Sequence, residues 1–379
     1  MYVPVDHGLA VTTLLRRRRV GPVPFPLSAP RVRHFYRARH AIYHVFRALG
    51  LRSGETVLAP DYHNTNEVAA IRAAGAAVRF YRIGRNLEPD LEQLTRLARS
   101  TNARVLFTIH YFGWPQPLKE LLALCEEHDM LLFEDCALAF LSSALGRPLG
   151  SFGQYATYCL YKTLPVPNGG LLVENGPPLA SLEDTALRPC GVKTLGGRLF
   201  ELFLARLRGR WYHAGEAAFA LKRLAGSMLR GLRFEAVPFG EVGFDFASLN
   251  LAMSPLSRSL LERFDYEDIR RRRRDNYRML RERLDGGATM FARELEEGTC
   301  PLFFPILVPD KPAAARALAR RGVGTLEFWN FGVPDARSAE SAEAQFLHDH
   351  VLELPIHQDI TPPQIEHMAR QVLSLKLRL

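Results

Sequence analysis

From about Val32 to Val173, strand-like and helix-like segments alternate, and this alternation constrains the fold more than any other feature of the chain. HFYRARHAIYHVFRALG predicts a helix closed at Gly50, ETVLAP a short strand, and NEVAAIRAAG a helix closed at Gly75. AVRFYRI, ARVLFTIHYF, MLLFEDCA and QYATYCLY read as strands, with helices expected over LEPDLEQLTRLAR and PLKELLALCEEHD. Helices of about 10–15 residues between apolar strands predict an α/β fold, with parallel strands joined by crossover helices. Ligands of such sheets gather beyond the carboxyl ends of the strands. The polar residues expected there are Asp61, Tyr62 and His63, then His110, then Glu134 and Asp135.

The rest of the chain has a different texture. At 379 residues two domains are expected, one over 1–245 and a smaller C-terminal α+β domain over 246–379. The second contains a long predicted helix over 257–285, apolar runs PLFFPILV and VLELPI, and helices over KPAAARALARRG and PPQIEHMARQVLSLKL. Residues 193–236 set Leu, Phe and Trp at helical spacing among arginines. This predicts a structural helical insertion bordering the active-site entrance, with peripheral membrane contact as the alternative. Five scattered cysteines without a C-x-x-C pair exclude a disulfide framework and a structural zinc site, and they point to a reducing cytoplasm. No apolar run reaches the roughly 18 residues of a membrane span. The arginines near the start follow the short apolar stretch, the wrong order for a secretory signal. The charge is +9, carried mainly by arginine, which suits an anionic ligand. The run Arg270–Arg274 lies among acids at helical spacing and predicts a solvated helix face, so no nucleic-acid partner is expected.

Lysine is rare: of 49 basic side chains only six are lysines, and one of them, Lys162, directly follows an apolar strand. A lysine there is disfavoured unless paired or neutralised, and desolvation favours the nucleophilic free amine that forms Schiff bases. Asp135, ending a parallel strand, could hold a protonated heteroaromatic nitrogen. The two suit pyridoxal phosphate, which requires such a lysine and a carboxylate at its pyridine nitrogen. The plainer alternatives are a helix-capping aspartate and a solvent-exposed lysine.

Several ordered segments then resemble the DegT/DnrJ/EryC1/StrS family of pyridoxal-phosphate-dependent sugar aminotransferases, over roughly 30–180 and 240–375. ALGLRSGETVLAPDYHNTNEVAAIRAAGAAVRF resembles the helix, strand and helix after the family's phosphate-binding turn. LFTIHYFGWP resembles its strand ending in His-Leu-Tyr-Gly-Gln-Pro, FEDCALAF its Glu-Asp-Ala-Ala-Gln-Ala segment, and LELPIHQDITPPQIEHMARQV its closing Leu-Pro-Leu-His segment. GSFGQYATYCLYKTLPVPNGG resembles the stretch carrying the Schiff-base lysine, and the interval from Lys162 to Gly169–Gly170 equals the family's.

The resemblance implies an aspartate-aminotransferase-like (fold type I) architecture and a cytoplasmic homodimer with active sites at its interface. It implies amino transfer from an amino acid, glutamate expected, to a keto-sugar that is nucleotide-linked. Lys162 takes the Schiff-base role and Asp135 that of pyridine-nitrogen partner. His110 either positions substrate or cofactor oxygens or is a buried structural histidine. The family's Gly-Thr/Ser before the first helix is replaced by Ala38, Arg39 and His40; amides at a helix start still bind phosphate, and Arg39 adds a charge. Tyr62 or His63 takes the ring-stacking position, and Thr157 or Cys159 that of the phosphate-contacting serine. The Gly-Tyr-Asn-x-Arg segment, which reaches the neighbouring subunit's phosphate in the family, appears as GFDFASLN, with Asn250 as substitute. Other readings keep the cofactor but change the acceptor to a non-sugar or lipid-linked carbonyl compound, or make the protein a non-catalytic membrane or partner adaptor. Family dehydratases carry histidine where this chain has Lys162, which argues against dehydration.

Overall fold

The computed structural model of the protein describes residues 1–16, 23–215, 217–218, 245–329 and 341–379. After a short helix α1 (Val11–Leu15) and strand β1 (Val32–Phe35), helices and strands alternate: α2 (Ala38–Leu49), β2 (Thr56–Pro60), α3 (Thr65–Ala73) and β3 (Ala77–Tyr81). They continue as α4 (Leu91–Ser100), β4 (Ala103–Ile109), α5 (Leu118–Glu127) and β5 (Leu131–Asp135). A two-stranded ribbon, β6 (Ser143–Ala144) and β7 (Arg147–Pro148), leads to β8 (Tyr155–Cys159) and β9 (Gly170–Glu174).

These strands form a seven-stranded sheet in the order β1-β9-β8-β5-β4-β2-β3. Strands β8, β5, β4, β2 and β3 are parallel, as the alternation predicts; β9 is antiparallel to both of its neighbours, β8 and β1. The helix expected from His34 begins only at Ala38, because His34 and Phe35 pair with Leu171 and Gly170 as part of β1. Gly50, left-handed at φ 56°, closes that helix. Asn64 and Asp90 start α3 and α4 by accepting from the amides of Asn66 (3.2 Å) and Gln93 (2.9 Å). Phe133 stacks on Phe107 (5.1 Å between centroids) and Phe46 (5.5 Å), binding β5 to β4 and α2 in the core.

The remaining elements are α6 (Ala180–Glu183), α7 (Val192–Arg210), α8 (Pro255–Leu261), α9 (Tyr266–Leu284), α10 (Lys311–Arg320), α11 (Ala342–His350) and α12 (Pro362–Ser374). With them comes an antiparallel sheet of β10 (Thr289–Met290), β11 (Phe303–Leu307) and β12 (Val351–Pro355), against which α9 and α10 pack, whereas α6 packs on α2. The single helix expected over 257–285 is two: α8 stops at Leu261, and Asp265 restarts the chain by capping Asp268 (3.1 Å). The arginine run on α9 is only half a solvated face. Arg271 and Arg272 pair with Asp268, whereas Arg273 is 1% exposed and Arg274 is 8% exposed. On α7, Leu202 and Leu204 are buried and Leu199 and Phe203 half-buried, while Phe200 is exposed. The amide of Leu9 donates to the Leu202 carbonyl (3.0 Å) and Arg206 pairs with Asp359 (2.5 Å), so this helix packs on its own chain. Residues 219–236 of the expected insertion and Arg17–Arg19 of the first arginine run lie outside the described residues. No helix among the described residues is long and apolar enough to cross a membrane.

Candidate active site

Strand alternation sends Glu134 and Asp135, neighbours at the end of β5, to opposite faces of the sheet. Glu134 is fully buried and saturated. Oε1 accepts from the amides of Phe152 (2.8 Å) and Gly153 (2.7 Å), and Oε2 from the Gly150 amide (2.8 Å) and His110 Nε2 (3.0 Å). His110 accepts the Gln116 amide on Nδ1 (3.2 Å), so its proton sits on Nε2 and points at Glu134. Both ring nitrogens are therefore bonded to protein groups. His110, Glu134 and Cys136 bring potential metal-binding atoms within 4.8 Å of one another, but four donors already fill the Glu134 carboxylate.

Asp135 faces the other way. Its Oδ1 accepts from the Ala137 amide (2.8 Å), and burial raises its pKa against the lowering effect of that bond, Lys162 and His110. Lys162 stands on a 3-10 turn (Leu160–Lys162) directly after β8, the strand beside β5, with its Nζ 5.4 Å from the Phe328 ring centroid. The peptide that follows is held firmly. The Thr163 carbonyl accepts from Arg273 Nη2 (3.2 Å) and Gln358 Nε2 (3.1 Å), while Arg273 also donates to the carbonyls of Pro301 (3.4 Å) and Leu302 (3.0 Å). Glu67, in the first turn of α3, joins Asp135 and Lys162.

Next to these groups lies the start of α2. Gly170 on β9 explains the retained glycine: a Cβ there would lie 2.1 Å from the Arg37 carbonyl carbon and 2.3 Å from the Ala38 nitrogen, so only glycine lets the helix start approach the strand. The first turn of α2 contains no acid, leaving its amides suited to an anion. Ala38, Ala137 and Cys159 form a small apolar cluster with Tyr161 packed against it. Burial raises the Cys159 thiol while Lys162 opposes the shift. Arg39 is lowered by desolvation and has Tyr161, Arg37, Glu67 and Cys159 as electrostatic neighbours.

The structure thus brings together Asp135, Lys162, Arg39 and Cys159 of the expected residues. The others are placed elsewhere or already bonded. His40 turns its ring to Ser248 (3.3 Å), and burial depresses its pKa to about 3, so its side chain is no phosphate ligand. The Thr157 hydroxyl donates to the Leu171 carbonyl (3.0 Å), which spends the proton a phosphate would need. Tyr62 packs edge-on against Trp329 (4.5 Å) and His348 (4.9 Å), and His63 lies flat on Phe80 (5.3 Å, 6° between planes). Neither is the ring set against Lys162; that ring is Phe328. Asn250 is exposed, hydrogen-bonds the His44 side chain and lends its carbonyl to the Arg188 amide (2.7 Å). Sequence reasoning missed Glu67, Phe328 and Arg273. Only Arg273 carried a signal, its helical register with buried Tyr277, Leu280 and Leu284.

Pyridoxal phosphate fits these residues. Asp135 offers a buried carboxylate and Lys162 an amine on the adjacent strand end. The α2 amides with Arg39 suit the phosphate, and Ala38, Ala137 and Cys159 form an apolar cluster beside them.

Residues 36–226 match the family model described as the DegT/DnrJ/EryC1/StrS aminotransferase family. GDP-perosamine synthase of Vibrio cholerae is 30% identical over 138 residues, 36% of this chain and 37% of that protein. The dTDP-3-amino-3,4,6-trideoxy-alpha-D-glucose transaminase of Streptomyces venezuelae is 27% identical over 205 residues, 51% of this chain and 53% of that protein. The chain therefore spans about a third to a half of the length of these relatives. In structure, the PLP form of Spr1654 from Streptococcus pneumoniae superposes with a TM-score of 0.70 at 14% identity, covering 99% of both chains. Sugar aminotransferase CalS13 from Micromonospora echinospora gives 0.65 at 21%, covering 99% of this chain and 100% of that one. These likenesses establish a shared fold.

Proposed function

Because the chain belongs to the DegT/DnrJ/EryC1/StrS aminotransferase family, we propose that it is a pyridoxal-phosphate-dependent aminotransferase that moves an amino group from an amino acid, glutamate expected, to a nucleotide-linked keto-sugar. The observation that carries this reading is the placement of Lys162 and Asp135 on adjacent strand ends, beside an acid-free helix start. When bound, the cofactor supplies an electron sink for the carbon that loses its proton. The chain supplies the rest. Asp135 holds the cofactor's ring nitrogen protonated through a charge-assisted hydrogen bond, and the α2 amides with Arg39 hold its phosphate. Lys162 anchors the cofactor and, once free, is the amine placed to carry the proton to and from the substrate carbon. The Thr163 carbonyl, fixed by Arg273 and Gln358, limits the positions that amine can sample.

The reading includes a homodimer. The exposure of Phe246 (63%) and Asn250 on the turn after Asp245 supports placing a second subunit there. Relatives named as transaminases of GDP- and dTDP-linked sugars support a nucleotide sugar as acceptor. The test is 2-oxoglutarate release from glutamate by the protein loaded with pyridoxal phosphate, followed by a screen of keto-sugar nucleotides for the amino product. Lys162→Ala should abolish both the visible absorbance of the loaded protein and turnover. Turnover retained in Lys162→Ala would overturn the proposal.

A further inference from the structure

We propose that Glu67 holds a proton beside Asp135, so that Asp135 alone carries negative charge toward Lys162; this positioning role rests on the aminotransferase reading above. Glu67 lies just beyond the carboxyl end of β2, in the first turn of α3. It is 9% exposed, and its Oε2 has no hydrogen-bond partner among the described residues. A buried carboxylate oxygen without a donor is rare and costly, so this one requires an explanation.

The surroundings supply it. The charged group Glu67 feels most is Asp135, a like charge, followed by Lys162 and Arg39; Tyr111, which has Glu67 among its electrostatic neighbours, donates its hydroxyl to the Tyr62 carbonyl (2.6 Å). Two carboxylates in one buried site do not both ionise readily; one keeps its proton. Hydrogen bonding decides which. Asp135 receives the Ala137 amide at 2.8 Å, stabilising its anion and leaving it next to Lys162, whereas Glu67 receives only its own backbone amide and its Oε2 has no partner among the described residues. Burial and the Asp135 charge accordingly push the Glu67 carboxyl up, to about 8. At neutral pH the proton sits on Glu67 and the negative charge on Asp135, opposite the cationic ring nitrogen it has to hold.

The full chain tests this by infrared difference spectroscopy against pH, recorded before and after loading with pyridoxal phosphate. Glu353, the other carboxyl raised to about 8, is first replaced by Gln in every sample; a carbonyl band of a protonated carboxyl is then expected at pH 6.5, bleaching as pH rises through about 8. Glu67→Gln should lose that band, and Asp135→Asn should move its bleaching to lower pH because the like charge is gone. A band that persists in Glu67→Gln, or its absence at pH 6.5 from the protein carrying Glu353→Gln alone, overturns the proposal. Should Glu67→Gln fail to fold, the direction of the shift in Asp135→Asn still decides. The unloaded spectra need neither cofactor nor substrate, so a protein that shows the band but binds no pyridoxal phosphate overturns the aminotransferase reading and leaves this one standing.

Discussion

The two sides of the end of β5 differ by one residue in sequence and completely in chemistry. On one side Glu134 accepts three backbone amides and His110, and nothing remains for a ligand. On the other, Asp135 accepts the Ala137 amide and shares its surroundings with Lys162 and with Glu67, whose Oε2 has no hydrogen-bond partner among the described residues. Adjacent acids of similar burial thus do opposite work: the saturated one holds two loops together, and the unsaturated one is available to chemistry. Satisfaction of hydrogen-bonding capacity, rather than burial, separates structure from site.

The largest expected effect comes from the saturated side. Glu134→Ala would strand three buried amides and the His110 proton, at about 1–3 kcal/mol for each unmet group. A loss of at least about 3 kcal/mol in denaturant unfolding is expected. A loss below about 1 kcal/mol would erase the contrast, since Glu134 would then be no anchor. On the open side, Asp135→Asn keeps an oxygen for the Ala137 amide but loses the charge. Unfolding should stay close to wild type while turnover falls more than about a hundredfold, equivalent to roughly 3 kcal/mol of transition-state stabilisation. Near-normal turnover would place Asp135 with the structural residues.

The smallest effect per group is a pH dependence that sharpens the same comparison. Burial lowers His7, His34 and His63 to about 4 and His40 and His357 to about 3. These rings bind fewer protons folded than unfolded, so their stabilisation is present above about pH 6.5 and is lost as pH falls toward the folded values. Glu67 and Glu353 are raised to about 8, and their stabilisation is lost as pH climbs from about 4.5 through 8. Each group changes stability by at most about 1.4 kcal/mol per pH unit. Below about pH 6.5 the five histidines outweigh the two glutamates, and between about pH 6.5 and 8 the glutamates outweigh the histidines, so the melting temperature should peak near pH 6.5. Glu67→Gln should flatten the fall between about pH 6.5 and 8; a fall unchanged in that variant would contradict the raised Glu67 carboxyl.

Asp135 and Lys162 were legible because each stands in an ordered segment whose spacing backbone geometry preserves. Gly170 cannot change without expelling the start of α2, which keeps the interval from Lys162 readable. Glu67 was not legible, since an acid in the first turn of a helix is the ordinary response to the helix dipole and carries no mark of burial. Arg273 hid inside a run whose neighbours Arg271 and Arg272 are true surface residues; its register with Tyr277, Leu280 and Leu284 is the pattern that distinguishes it. His34 and Phe35 read as helix because local spacing cannot see a strand partner more than a hundred residues away. In the same way local spacing carries no trace of the neighbours of His40, Tyr62 and His63, which are Ser248, Trp329 and Phe80.

The paired donation to the Thr163 carbonyl has a mechanical side. Arg273 belongs to α9, and Gln358 follows β12 of the second sheet, yet both grip the carbonyl of Thr163, the residue after Lys162. Any tilt of that outer layer against the large sheet must break both contacts or drag the lysine turn along with it. The two donors therefore act as a linkage rod, so that the lysine turn and the outer layer move as one body while both bonds hold.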